Sequence, residues 1–161
     1  MQKITTFLWF DNQAEEAMNF YVSIFRDSKV LDVSRYGEAG HEVHGKPAGS
    51  AMTCTFELAD QKFIALNGGP MFKFTEAISL FVECEDQEEV DYFWNKLSDG
   101  GDPNAQQCGW LKDKYGLSWQ VVPKALGQLL SDPDPAASGR VMEAMLKMKK
   151  IDVATLQQAH G

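Results

Sequence analysis

CGWLKDKYGLSWQVVP, residues 108–123, decides how the chain reads. Its apolar residues Trp110, Leu111, Leu117, Trp119 and Val121 surround a polar DKYG centre, the pattern of two strands joined by a turn. Gln120 lies between Trp119 and Val121 near the end of the second strand. A half-buried sheet leaves a side chain at such a place open to three uses: touching a ligand, touching a metal, or touching only its own sheet.

Upstream, residues 3–10 (KITTFLWF) are rich in strand formers, and Asp11-Asn12 with Glu15 supplies a helix cap. A helix is expected from near Gln13, with Ala14, Ala17, Met18, Tyr21, Ile24 and Phe25 on one apolar stripe. Residues 29–36 read as a second strand and 37–49 as a loop rich in Gly and His. SAMTCTFEL, a turn at Ala59-Asp60-Gln61 and KFIALNGG then make a hairpin. The order is βαβββ. A shift of 73 residues lays Phe7-Leu8-Trp9 on Leu80-Phe81-Val82, Glu15-Glu16-Ala17 on Glu88-Glu89-Val90, and Phe20-Tyr21 on Phe93-Trp94. Duplication is the simplest account, although any two strand-helix units look alike at this level. The second half, with a loop at 99–103, reads as another βαβββ with a shorter middle. In the tail, 124–161, a short helix (Ala125 to Leu130) precedes a breaker run, DPDPAASG, and two further helical stretches. Met142, Met145 and Met148 recur there at helical spacing and read as packing residues.

A chain of 161 residues holds one ordinary core, so residues 1–161 are expected to form a single domain, with modules at about 1–70 and about 75–123. Hydrophobic residues make up 44% and charged residues 24%, and no apolar run approaches the roughly 20 residues of a membrane span. No secretory signal opens the sequence, which leads us to expect a cytoplasmic protein. Net charge is −8 and the pI about 4.8, so a nucleic-acid backbone or anionic membrane would repel most of the surface. Cys54, Cys84 and Cys108 lack the paired spacing of a zinc site or disulfide framework.

FLWFDNQAEEAMNFYVSIF, CGWLKDKYGLSWQVVP and LLSDPDPAASGRVMEAMLKMKKIDVATLQQA together resemble the PhnB-like proteins, labelled 3-demethylubiquinone-9 3-methyltransferase-like, of the vicinal oxygen chelate (glyoxalase/bleomycin-resistance/dioxygenase) superfamily. The resemblance implies an α+β fold: two βαβββ modules, each a curved sheet around a cleft, followed by a helical tail and usually completed as a homodimer. Superfamily enzymes hold a divalent ion with His, Glu or Gln from the first and last strand of each module. The positions matching the usual His are Thr6 and Ser79. The position matching the usual Glu is Gln120, and in the first module it falls near Ala65 or Asn67. Such neutral, weakly coordinating groups lack the imidazoles and carboxylates a catalytic divalent ion needs, so the expectation is no metal site and no cofactor.

His41 and His44, in HEVHG, are one residue short of HExxH, and the glycines around them argue for a loop, so they do not make a zinc pair. Either could still act as an acid or base over a cleft. His160, next to the C-terminus, is expected to be disordered. A methyltransferase using S-adenosylmethionine would be expected to show a Gly-rich strand-to-helix turn, and the sequence has no GxGxxG. Trp9, Phe56, Phe63, Phe81, Trp110 and Trp119 fall on strands, where they fill a core or, with Thr6, Asn67, Ser79 and Gln120, line a cleft for a small organic molecule. That binding role leads. A metal-dependent lyase, isomerase or dioxygenase is the first alternative, and the quinone-pathway methyltransferase of the family label is the second.

Overall fold

The computed structural model describes residues 2–161, which fall into two compact units, one ending at Lys73 and the other spanning Phe74–Gly161. No helix among the described residues is long and apolar enough to cross a membrane.

In the first unit β1 (Thr6–Phe10), α1 (Ala14–Ile24), β2 (Lys29–Arg35), a single helical turn α2 (His41–His44), β3 (Ala51–Leu58) and β4 (Gln61–Asn67) follow in order. The sheet runs β1-β4-β3-β2, with β1 parallel to β4 and the other pairs antiparallel. The hairpin between β3 and β4 turns on Ala59 (φ 48°) and Asp60 (φ 65°), a two-residue turn whose twist matches that of the strands. Side chains alternate across a pleated strand. On one face Leu8, Phe10, Phe56, Phe63 and Ala65 are buried with Ala14, Ala17, Met18 and Tyr21 of α1. Tyr21 stacks on Phe56 at 6.5 Å and Phe56 on Phe63 at 5.7 Å. Burial of that order, about 1.5–3 kcal/mol per large side chain, is what fixes the helix on the sheet.

The expected Asn12 cap is not used. The N-cap residue of α1 is Gln13, without a side-chain hydrogen bond, and the Ala14 amide instead donates to Asn67 Oδ1 at 2.8 Å. Asn67 Nδ2 donates to Ala51 O at 3.1 Å, so one buried amide ties α1 to β3 and β4.

The second unit contains β5 (Ser79–Cys84), α3 (Gln87–Ser98), a 3-10 turn (Pro103–Ala105), β6 (Trp110–Lys112), β7 (Ser118–Pro123), α4 (Lys124–Leu130), α5 (Pro135–Met145) and α6 (Val153–His160). Its sheet is β5-β7-β6, with β5 parallel to β7. The shorter middle of this module carries the 3-10 turn and an isolated Gln107/Trp110 bridge where the first module has β2. Gly101 accounts for the tight passage, since a Cβ there would collide with the Lys112 backbone carbonyl.

The helices repeat at the expected 73-residue shift: buried Ala17, Tyr21 and Ile24 of α1 fall on buried Val90, Trp94 and Leu97 of α3. The strands do not. The first-strand residues facing the helix end at Phe10 in one unit and Cys84 in the other, 74 apart, because the second strand-helix connection is one residue shorter. A one-residue slip moves every side chain to the opposite face.

The tail packs on its own small core of Leu126, Val141, Ile151 and Leu156, with Met145 and Met148 against it and Met142 outside. The DPDPAASG run starts a helix: Asp134 caps α5 by accepting from Ala136 N at 3.0 Å, and Pro135 occupies the first turn, where a missing N–H costs nothing. His160 is ordered as the last residue of α6. Its Nε2 lies 2.7 Å from Asp132 Oδ2, and Arg140 donates to its carbonyl at 2.8 Å.

Candidate functional site

Strand register sorts the candidate residues onto two faces. Thr6 pairs with Phe63, and so lies on the helix-packed side, where Phe56 is wholly buried and Asn67 serves as the remote cap. Trp119 is also on the helix-packed side of its sheet, 2% exposed. Of these four, expected to line a cleft, Phe56, Asn67 and Trp119 are buried in their units' cores, and Thr6 is half-buried on the same side of its sheet as Phe56.

Trp9, three residues after Thr6, takes the other face beside Leu66. Its indole donates to Gly69 O at 2.9 Å, its ring meets Phe72 edge-on at 4.8 Å, and it packs on Gly68, where a Cβ would collide with it.

In the second unit the face opposite the helix does assemble candidates. Register places Ser79 beside Ser118 and Ser118 beside Lys112, then Phe81 beside Gln120 and Gln120 beside Trp110. Gln120 Nε2 donates to Ser79 Oγ at 3.0 Å. Ser79, Trp110 and Gln120 therefore share one face with Phe81 (59% exposed), one of the strand aromatics, and are joined there by two residues the sequence reading passed over, Ser118 and Lys112. Lys112 Nζ pairs with Glu76 Oε1, and that hydrogen bond, followed by an ordinary backbone one, holds the Glu76 carboxyl below its usual range. Ser118 is 1% exposed, and its Oγ is a buried side-chain oxygen with no partner among the described residues.

The face depends on Asp113, which sits at the turn of the CGWLKDKYGLSWQ stretch and is 2% exposed. Its Oδ1 accepts from Tyr115 N at 2.9 Å and Leu117 N at 3.1 Å, and its Oδ2 from Trp119 Nε1 at 2.9 Å. Trp119 is thereby pinned to one side of β7, which leaves Gln120 on the other.

Counterparts in the first unit follow from register. Gln120 pairs with Phe81, and 74 residues earlier Phe7 pairs with Ile64. The counterpart of Gln120 is thus Ile64; Ala65 and Asn67, the positions expected, lie near it but Ala65 and Asn67 both face the helix. The counterpart of Ser79 is Thr5, one residue ahead of β1, in place of Thr6.

His41 and His44 form the exposed helical turn α2, between Gly40 (φ 78°) and Gly45 (φ 65°), where a loop was expected. Lys46 N donates to His44 Nδ1 at 2.8 Å, so Nε2 carries the proton and faces Ala39 O at 3.2 Å. His44 stacks on Tyr36 at 4.5 Å. With both ring nitrogens engaged, His44 works as a loop fastener. Among the described residues no three His, Cys, Asp or Glu side chains converge in a group able to hold a metal. Burial, with Glu15 adding to it, pushes the Cys54 thiol up to about 11, and burial with Glu89 pushes Cys84 up to about 12, so neither is poised as a nucleophile.

The family described as 3-demethylubiquinone-9 3-methyltransferase matches residues 2–122, ending within β7. A PhnB protein from Bacillus cereus is 42% identical, covers 75% of this chain and 99% of its own, and superposes with a TM-score of 0.63. A protein from Pseudomonas aeruginosa is 17% identical over 76% of this chain and 98% of its own, at a TM-score of 0.58. The fosfomycin resistance protein FosX of Mesorhizobium loti is 12% identical over 76% of this chain and 91% of its own, at a TM-score of 0.51. The last two show a shared fold. No curated protein matches the chain in sequence.

Proposed function

The chain belongs to the 3-demethylubiquinone-9 3-methyltransferase family, the PhnB-like branch of the vicinal oxygen chelate superfamily, and on that premise we propose that it binds a small organic molecule on the helix-free face of its second sheet without using a metal. The observation carrying this reading is the Gln120–Ser79 hydrogen bond, with the Trp110 and Phe81 rings flanking Gln120 on the same face. A primary amide and a hydroxyl already bonded to one another offer direction to an organic ligand, and the two rings offer apolar surface.

The fold family implies a divalent ion, and the donor set does not suit one. Gln120 offers an amide oxygen and Ser79 a hydroxyl, while their first-unit counterparts are an alkyl group and a second hydroxyl. Metal sites rely on carboxylates, imidazoles or thiolates to offset the cost of stripping water from the ion. Lys112 adds a positive charge to the same face. Phe7, 54% exposed, and Phe81 lie on the edge strands β1 and β5, apolar surface that favours a homodimer.

The test is a fragment screen by NMR that follows the Gln120 side-chain amide and the Trp110 indole. A binder that shifts both, and loses its effect in Gln120→Ala, is the expected result. Binders that shift only other regions, or that bind Gln120→Ala equally well, overturn the reading.

A further inference from the structure

The helix-free face of the second sheet has more hydrogen-bond donors than acceptors, and the excess has a position. Ser79, Ser118 and Lys112 form one cross-strand row, and Phe81, Gln120 and Trp110 form the next. The Ser79 oxygen already accepts from Gln120, which leaves its own proton to give. Ser118 Oγ is buried with no partner among the described residues, and an unmet buried hydroxyl destabilises a fold. A fold keeps such a group where something else satisfies it. Lys112 completes the row with a cation, held by Glu76, whose side chain is 64% exposed. Two hydroxyl protons and an ammonium in line have one common complement, an anionic oxygen pair.

Resting on the binding reading above, we propose that the ligand is a small aromatic carboxylate, with its carboxylate on the Ser79–Ser118–Lys112 row and its ring against Trp110 and Phe81. Successive same-face residues on a strand are about 6.6 Å apart, the reach from a carboxylate to the far side of a single ring. Lys112 exchanges Glu76 for the incoming anion. Glu76 precedes β5 with its side chain 64% exposed, so it is free to swing outward and release Lys112.

The probes are benzoate and its neutral isostere benzamide, titrated by NMR on the wild type and on Ser118→Ala, Lys112→Gln and Glu76→Gln. A charge-assisted hydrogen bond is worth about tenfold or more in affinity, so benzoate is expected to bind about tenfold tighter than benzamide. Ser118→Ala and Lys112→Gln each remove about that factor for benzoate and leave benzamide unchanged. Glu76→Gln frees Lys112 and strengthens benzoate. Ser118→Ala deletes a hydroxyl without a partner, so its Tm is expected not to fall, which separates loss of binding from loss of fold. If benzamide binds as well as benzoate, or if Ser118→Ala leaves benzoate affinity intact, the carboxylate assignment fails while the binding face stands. If neither probe shifts Trp110 or Gln120, the binding face and the carboxylate assignment fall together.

Discussion

Asp113→Asn is the substitution that most sharply separates a structural role for the signature stretch from a ligand-binding one. Asparagine keeps an oxygen for the Tyr115 and Leu117 amides but turns an NH2 group toward the Trp119 indole N–H, so a 2.9 Å hydrogen bond becomes donor against donor. Asp113 is 2% exposed and Trp119 is equally buried, so water cannot replace the bond. Losing one buried partner costs about 1–3 kcal/mol, and the facing donors put Asp113→Asn in the upper part of that range. Trp119→Phe removes the same hydrogen bond from the other side at a similar cost, about 1–3 kcal/mol plus a small packing loss. Because both variants break one interaction, the double variant is expected to cost about 1–2 kcal/mol less than the sum of the singles. Urea unfolding followed by far-UV circular dichroism, with unchanged m-values, measures all four proteins. Strict additivity, or a loss below about 0.5 kcal/mol for Asp113→Asn, would refute the claim that this carboxylate organises the hairpin.

Gln87→Ala removes a clasp between α3 and the tail, since Gln87 Nε2 donates to Ile151 O at 3.0 Å and Val153 N donates to Gln87 Oε1 at 2.7 Å. Hydrogen exchange is expected to quicken through 151–160, with about 1–2 kcal/mol lost for the two bonds. The Asp132 carboxyl is held below its usual range by the Asp134 amide first and His160 second, so its contribution is complete above the unfolded value of about 3.9 and disappears as pH falls through the lower folded value. NMR of the α6 amides is expected to show the helix end loosening only below about pH 4, and Asp132→Asn to abolish that step. Among the thiols, Cys108 alone is not fully buried, so it is expected to react with Ellman's reagent well before Cys54 and Cys84, whose thiols are pushed up to about 11 and about 12.

Much of the fold was legible because local signals agreed with it. The stripe Ala14-Ala17-Met18-Tyr21, the hairpin at Ala59-Asp60 and the alternation through residues 110–121 each matched one element period. The site was read less well, for a reason also physical. Thr6 with Trp9, and Trp119 with Gln120, are separated by odd numbers of residues on one strand, so no regular pleat puts either pair on one face. A repeat aligned on its helices hid the one-residue difference in the connection, which moved the counterpart of Ser79 from Thr6 to Thr5. Asn67 looked like a ligand-binding group because its bond to Ala14 spans 53 positions, a contact that no local pattern announces. Ser118 and Lys112 were passed over as ordinary strand residues, although their period-two relation to Gln120 and Trp110 was available.

Metal stoichiometry tests the central claim most directly. The protein would be stripped, equilibrated separately with manganese, nickel and zinc ions, and weighed intact by native mass spectrometry alongside Gln120→Ala and Ser79→Ala. The account predicts no stoichiometric ion on the wild type and no difference among the three proteins. One ion per chain on the wild type, lost from either variant, would contradict it.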